Sequence, residues 1–254
     1  MCIVSFAWQA HPRWKFIAIG NRDELHARPA APLSRWTNPD HILAGRDIQA
    51  GGTWLGVSEK KRFAVVTNLS GHGAPSPDRS SRGDLLKDYL ANEGRFSSME
   101  SSMFSEFNPF NLITVTNNQA RIHSNRPGST STVLEPGTYG LSNGPLDRPW
   151  KKSKYLNEAL NKWLISDSIN LTNLLDPLLN RSDYRSDKTG ESNISLASEP
   201  EHSPVFIHSE IYGTRCSTVV GVQEDGRGTI IERRYNASGQ TTGETSLAFT
   251  WQDH

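Results

Sequence analysis

The sequence predicts an α+β fold, with strands at both ends of the chain and helices gathered in its middle. Three observations carry that reading. Short apolar runs bounded by turn residues fill the first seventy positions: "CIVSFAW", "WKFIAIG", "HILAG", "TWLGVS" and "RFAVVTNL". Apolar residues at helical spacing then recur in "SRGDLLKDYLANEG" and "WKKSKYLNEALNKWL". Strand-like runs return near the end as "STVVGV", "GTIIERRY" and "SLAFTW". Blocks of strands and helices, without strict alternation, argue against a βαβ plan. The 254 residues show no repeat and no dividing linker, so residues 1–254 read as one domain.

Taken in order, "CIVSFAW" and "WKFIAIG" flank the Pro-containing "QAHPR" and predict a β-hairpin. The tetrapeptide Asn21-Arg22-Asp23-Glu24 follows at once and reads as a turn, since Asn and Asp suit turns. "AGG" and "SEKK" separate the next three strands. A helix is expected over 81–94, capped by Ser80 or Ser81, buried through Leu85, Leu86, Tyr89 and Leu90, and stopped by Gly94. "SSMESSMFSEF" carries a weaker helical pattern, and "FNLITVT" with "ARIHS" predicts a second hairpin. The next helix presents Leu156, Leu160 and Trp163, and "INLTNLLDPLLN" reads as a third, interrupted by Pro177. Residues 181–204 are polar and poor in apolar side chains, the pattern of a lid or a disordered loop.

Composition narrows the function. Basic and acidic residues both number 27, which argues against a nucleic-acid partner. No apolar stretch has the length of a membrane span, and the first residues do not read as a signal peptide, so the expected compartment is the cytoplasm. There a pair of cysteines, Cys2 and Cys216, stays reduced, and the Asn-X-Ser/Thr matches at Asn68, Asn170, Asn180, Asn193 and Asn236 are coincidental. The eight histidines show no ligand spacing, so no metal or other cofactor is expected.

The chemistry concentrates at the start. Met1 precedes a small residue, and its removal makes Cys2 the first residue. The α-amine of Cys2, with a reference pKa of about 7.7–8.0, can then act as base for its own thiol. A nearby cation favours the thiolate. The hairpin returns the chain beside Cys2, where Asp23 is placed to orient the amine and Arg22 to lie near the sulfur.

"MCIV", "IGNRDELHARP", "GGTWLGV", "VVTNLS", "GTYGLSNGPLDRPW" and "YGTRCSTVV", in that order, resemble the NRDE family over residues 2 to about 222. That family is similar to the N-terminal nucleophile (Ntn) hydrolases of the bile-salt hydrolase and penicillin V acylase group. The resemblance implies a four-layer αββα sandwich, an N-terminal Cys nucleophile and cleavage of an amide in a small acyl substrate. Residue by residue it implies that Arg22 and Asp23 fill the post-hairpin pair, Asn143 the oxyanion donor, Asn68 a second polar position and Arg215 the late arginine. It also permits a second reading, a non-catalytic carrier of haem or another apolar ligand on the same fold. "GLSNG" (140–144) matches the nucleophile elbow of α/β-hydrolases, but that fold requires upstream βαβ units that are missing here. "GHGAPS" lacks the last glycine of a dinucleotide fingerprint.

Overall fold

A computed structural model describes residues 2–144, 149–182 and 204–251. In chain order its strands are β1 (Cys2–His11), β2 (Trp14–Leu25), β3 (Ala30–Arg35), β4 (Ile42–Asp47), β5 (Leu55–Ser58) and β6 (Arg62–Asn68). Helix α1 (Arg82–Ala91) and a 3-10 turn (Ser101–Glu106) precede β7 (Phe110–Val115), β8 (Ala120–Ser124), β9 (Thr130–Val133) and β10 (Gly137–Leu141). Helix α2 (Lys151–Ile165) and 3-10 turns at Leu171–Leu175 and Pro177–Leu179 follow, and the described chain closes with β11 (Tyr212–Gln223), β12 (Arg227–Tyr235) and β13 (Thr241–Thr250).

The strands form two sheets with every pairing antiparallel: β10-β1-β2-β11-β12-β13, and β3 to β9 in sequence order. Side chains alternate between faces, and both faces of both sheets are covered. Val4, Phe6, Phe16, Ala18 and Val220 of the first sheet meet Leu43, Val57, Phe63, Val65 and Ile113 of the second. At the centre the rings of Phe16 and Phe63 lie 5.0 Å apart. On the outer side of the first sheet, Ile3, Ile17, Ile19 and Val219 pack against Leu156, Leu160 and Trp163 of α2. On the outer side of the second, Ala64, Val66 and Leu112 pack against Leu85, Leu86, Tyr89 and Leu90 of α1. The layers therefore run α-β-β-α. Burial on both faces is why "CIVSFAW" is apolar but for Ser5, which is buried and bonded to Asn157, instead of alternating.

Several elements depart from the sequence reading. Asn21 to Glu24 do not form a turn; they continue β2, which is hydrogen-bonded to β1 on one side and β11 on the other. Ser81 caps α1, its hydroxyl accepting from the Gly83 N–H at 3.1 Å. The helix ends at Asn92 in the left-handed conformation (φ 58°), two residues before Gly94. The expected third helix is a pair of 3-10 turns split at Pro177, and "SSMESSMFSEF" yields a single one. β3 and β9 carried no clear strand signal. β3 lies at a sheet edge, where Pro32 is tolerated beside a register shift between Ala31 and Ser34. Residues 183–203, most of the expected lid, lie outside the described residues. No described helix is long and apolar enough to cross a membrane.

Candidate active site

Cys2 opens β1 and faces inward, in the same alternation as Val4 and Phe6. Directly opposite, Arg22 of β2 pairs with Cys2 on one side and with Cys216 of β11 on the other. All three face the space between the sheets, where the hydrophobic core gives way to a cavity of about 690 Å³. The wall includes Cys2, Arg22, Asp23, Asn68, Arg215 and Cys216. Seven arginines and four carboxylates line it, so it is a polar chamber with a positive surplus.

Burial raises the Cys2 thiol above its ordinary value, against the pull of the amino-terminal charge, the backbone N–H of Asp23 and the Arg22 guanidinium. The group at rest is therefore a thiol, and Arg22 does not overcome the loss of solvent. Asp23 is buried too, and burial pushes its carboxyl up to about 6 against the amino-terminal charge, Lys152, a Thr214 hydrogen bond and Arg22. The Thr214 hydroxyl donates to Asp23 Oδ1 at 2.7 Å, and the Tyr212 hydroxyl donates to the Asp23 carbonyl at 2.6 Å. "YGTR" thus serves "NRDE": Tyr212 and Thr214 hold Asp23. Arg215 donates from Nη1 to the carbonyls of Leu25, His26 and Arg28 at 2.8–3.1 Å, clamping the bend that follows β2.

Arg22 is positioned from the second sheet. Its Nη2 donates to Asp47 Oδ2 at 3.3 Å, and Arg28 Nε reaches the same oxygen at 2.7 Å. Asp47 resists burial's upward push because Arg28, the Ala50 N–H and Arg22 hold its carboxyl below the usual range. Arg22 Nη1, also buried, has no protein partner among the described residues. A guanidinium N–H of a residue on the cavity wall is thus uncommitted among the described residues. Glu24 also lines the cavity, its Oε2 3.9 Å from Arg22 Nη2, whereas Asn21 has another task. Asn21 is fully buried on the outer face, donates to the carbonyls of Leu178 and Val205 at 2.8 and 2.9 Å, and accepts from Ser217. It is a structural tie between sheet and outer layer.

Asn68, at the end of β6, borders the cavity and is exposed. Asn143 sits behind it, fully buried, its Nδ2 donating to the Asn68 carbonyl at 2.7 Å. Ser70 N–H returns a bond to the Asn143 carbonyl, Thr67 bonds the Ser142 carbonyl and Asn111 the Gly144 carbonyl. "LSNG" is therefore stitched to the end of β6. Ser142 is buried there and the sheets are antiparallel, so "GLSNG" is not a nucleophile elbow.

Three further residues escaped the sequence reading. Lys152, in the first turn of α2, is fully buried over the Trp150 ring and acts electrostatically on Asp23. Arg82, at the start of α1, also lines the cavity and is near enough to interact with a Cys2 thiolate, and burial lowers its pKa. Asp47 orients Arg22. Each lies far from Cys2 in sequence, and the only local signal was an unusual charge at an element end. Among the described residues no group of His, Cys, Asp and Glu is arranged to hold a metal ion.

The family model for transport and Golgi organisation 2 matches residues 1–237. The chain belongs to that family. The mouse transport and Golgi organization 2 homologue is 30% identical, covering 99% of this chain and all of its own. The human homologue is 31% identical over 92% of each chain. Among solved structures, a mutant and a variant of conjugated bile acid hydrolase from Clostridium perfringens share the fold, each at a TM-score of 0.52 and 8% identity, over 99% and 98% of this chain and 97% of theirs. This member of the family is thus a four-layer αββα sandwich with the fold of those hydrolases. In this family member the quoted motifs have local explanations: "NRDE" and "YGTR" build the Cys2 end, while "GGTWLG" seats α1, with Thr53 N–H bonded to the Gly83 carbonyl at 3.4 Å.

Proposed function

We propose that this protein is an N-terminal-cysteine amidohydrolase acting on a small acyl substrate. One observation carries the reading: Cys2, Arg22 with its unpartnered Nη1, and Asp23 all line one cavity between the sheets. Loss of Met1 gives Cys2 its own α-amine. The thiol proton passes to that amine as sulfur attacks the carbonyl carbon, so no thiolate need be stored beforehand. Asp23 positions the ammonium. The oxyanion gains a positive donor from Arg22 and an amide donor from Asn68, whose carbonyl Asn143 holds from behind. The C–N bond breaks as the leaving amine takes the proton, and water then hydrolyses the thioester. That a bile acid hydrolase is built on the same sandwich supports the assignment. The charged lining favours a polar substrate over haem or another apolar ligand, the reading it competes with.

Intact-protein mass spectrometry, with brief iodoacetamide treatment and peptide mapping, tests the proposal. The expected result is a chain lacking Met1 that is labelled at Cys2 well before Cys216. Cys216 is buried beside Glu232, and burial raises its thiol well above the ordinary value. A chain retaining Met1, or one whose Cys2 stays unlabelled, removes the base and the reading with it. In an amide-substrate assay, Cys2→Ala abolishes turnover. Asn68→Ala lowers it by about 10²–10³, the usual effect of removing an oxyanion donor; unchanged turnover would withdraw that role. Asn143→Ala, which frees the Asn68 carbonyl, lowers it less.

A further inference from the structure

A second cavity, of about 450 Å³, lies on the outer face of the seven-stranded sheet, and nothing in the reading above uses it. Its position follows from the alternation of the strands. Arg62, Thr114, Arg121 and His123 stand on the same face as Ala64 and Leu112, the face that α1 covers. With only ten residues, α1 lies over β4 to β6 and leaves part of β7 to β9 to be roofed by the segment around residues 97–101. In that segment Met99 takes a left-handed φ of 55°.

The chemistry of the wall is one-sided. None of its twelve residues is acidic; two are arginines, and serine and threonine hydroxyls supply most of the rest. Arg62 stacks over the Tyr89 ring at 4.7 Å and donates from Nη1 to the carbonyls of Tyr89 and Ser97. Arg121 donates from Nε to Ser131 and from Nη1 to Gln119 at 3.0 and 2.9 Å. Neither guanidinium meets a carboxylate within ion-pair distance among the described residues; their partners are carbonyls, a hydroxyl and a side-chain amide. His123 is 2% exposed, its Nε2 2.8 Å from the Thr114 hydroxyl, and its Nδ1 has no protein partner among the described residues. Burial, with help from Arg121, lowers its pKa to about 4, so the ring stays neutral at ordinary pH.

A buried imidazole nitrogen without a partner is costly unless a ligand or water answers it. Two guanidinium groups left without carboxylates, set among hydroxyl donors, match the oxygens of a tetrahedral anion, and arginine is the side chain best shaped for that task. The volume exceeds that of a bare ion and leaves room for a small polar body. We infer that this cavity is a binding site for a small phosphate monoester, its phosphoryl group held by Arg62 and Arg121 and its organic part by the surrounding hydroxyls. The site is separate from the Cys2 cavity, and the inference does not depend on amide hydrolysis.

Isothermal titration calorimetry of the full chain at low ionic strength tests this, with inorganic phosphate and glycerol phosphate as probes. Arg121→Gln removes one anion contact from a half-buried position. Arg46→Gln serves as the control, because Arg46 lines the Cys2 cavity. The expected result is saturable binding of glycerol phosphate that weakens at least about tenfold in Arg121→Gln and is unchanged in Arg46→Gln. Inorganic phosphate should bind at the same residue but more weakly, which separates an ester site from a free-phosphate site. No saturable heat with either probe overturns the inference. So does binding that survives Arg121→Gln, or that falls in Arg46→Gln instead, since that would place the anion in the other cavity. Should Arg121→Gln fail to fold, Ser131→Ala removes the hydroxyl that orients Arg121 and is read in the same way.

Discussion

Asn21 shows how one residue can look catalytic and serve as a brace. It sits beside Arg22, yet the pleat of β2 sends it to the face opposite that guanidinium, where it satisfies two carbonyls and the Ser217 hydroxyl. Truncation to alanine leaves these buried groups unanswered, and each costs roughly 1–3 kcal/mol. Asn21→Ala should therefore lower unfolding free energy by about 3 kcal/mol or more, read from urea denaturation. Asn21→Asp should be worse, since a carboxylate then faces two carbonyl acceptors; a neutral result for both would remove the brace. The sequence marked Cys2, Arg22 and Asp23 because adjacency and a hairpin sufficed to bring them together. It could not mark Asp47, Lys152 or Arg82, whose proximity depends on how the two sheets and two helices stack. The polar tetrapeptide looked like a turn for a related reason: Asn21 and Asp23 find their side-chain and carbonyl partners on β11 and at Leu178 and Val205, 157 or more positions away.

At the scale of elements, the glycine pair in "GGTW" decides where α1 can sit. Gly52 packs directly against the first turn of that helix: an added Cβ would lie 2.3 Å from the Gly83 carbonyl carbon and 2.4 Å from its oxygen. Backbone cannot yield as a flexible side chain can, so Gly52→Ala must displace the start of α1, which bears Arg82. Gly51 differs, for its φ is 77° with open space around it. There alanine costs only the conformational strain, about 1 kcal/mol. We expect Gly52→Ala to destabilise the protein by about 1–3 kcal/mol and to speed amide exchange in 82–91, while Gly51→Ala leaves that exchange nearly unchanged. Equal effects would mean that the close approach is not what seats the helix. The long helices were legible because their apolar stripes and caps are local. β9, whose four residues are all exposed, and β3, with a proline inside it, were not: neither carries the apolar alternation of a half-buried strand.

Across the whole molecule, two buried groups on different sheets oppose each other in their response to pH. Asp23 is raised from 3.8 to about 6, so the folded chain holds that proton more tightly than the unfolded chain does. Its contribution to stability is complete below about 3.8 and is lost as pH rises through 6. His123 is lowered from 6.5 to about 4. Its contribution is complete above 6.5 and is lost as pH falls through 4. Between pH 4 and 6 the two slopes have opposite signs and nearly equal size, and the wild-type profile hides both. Removing either group uncovers the other. Relative to wild type, Asp23→Asn should gain about 3 kcal/mol as pH rises from 4 to 6, and His123→Gln should gain about 3 kcal/mol as pH falls from 6.5 to 4. Any constant cost of the substitution cancels, because only the change with pH is read. Urea unfolding of the three proteins at closely spaced pH values measures it. Profiles that run parallel to wild type would mean that neither group is titrating with the shift its burial imposes, and that water reaches both sites in the folded protein.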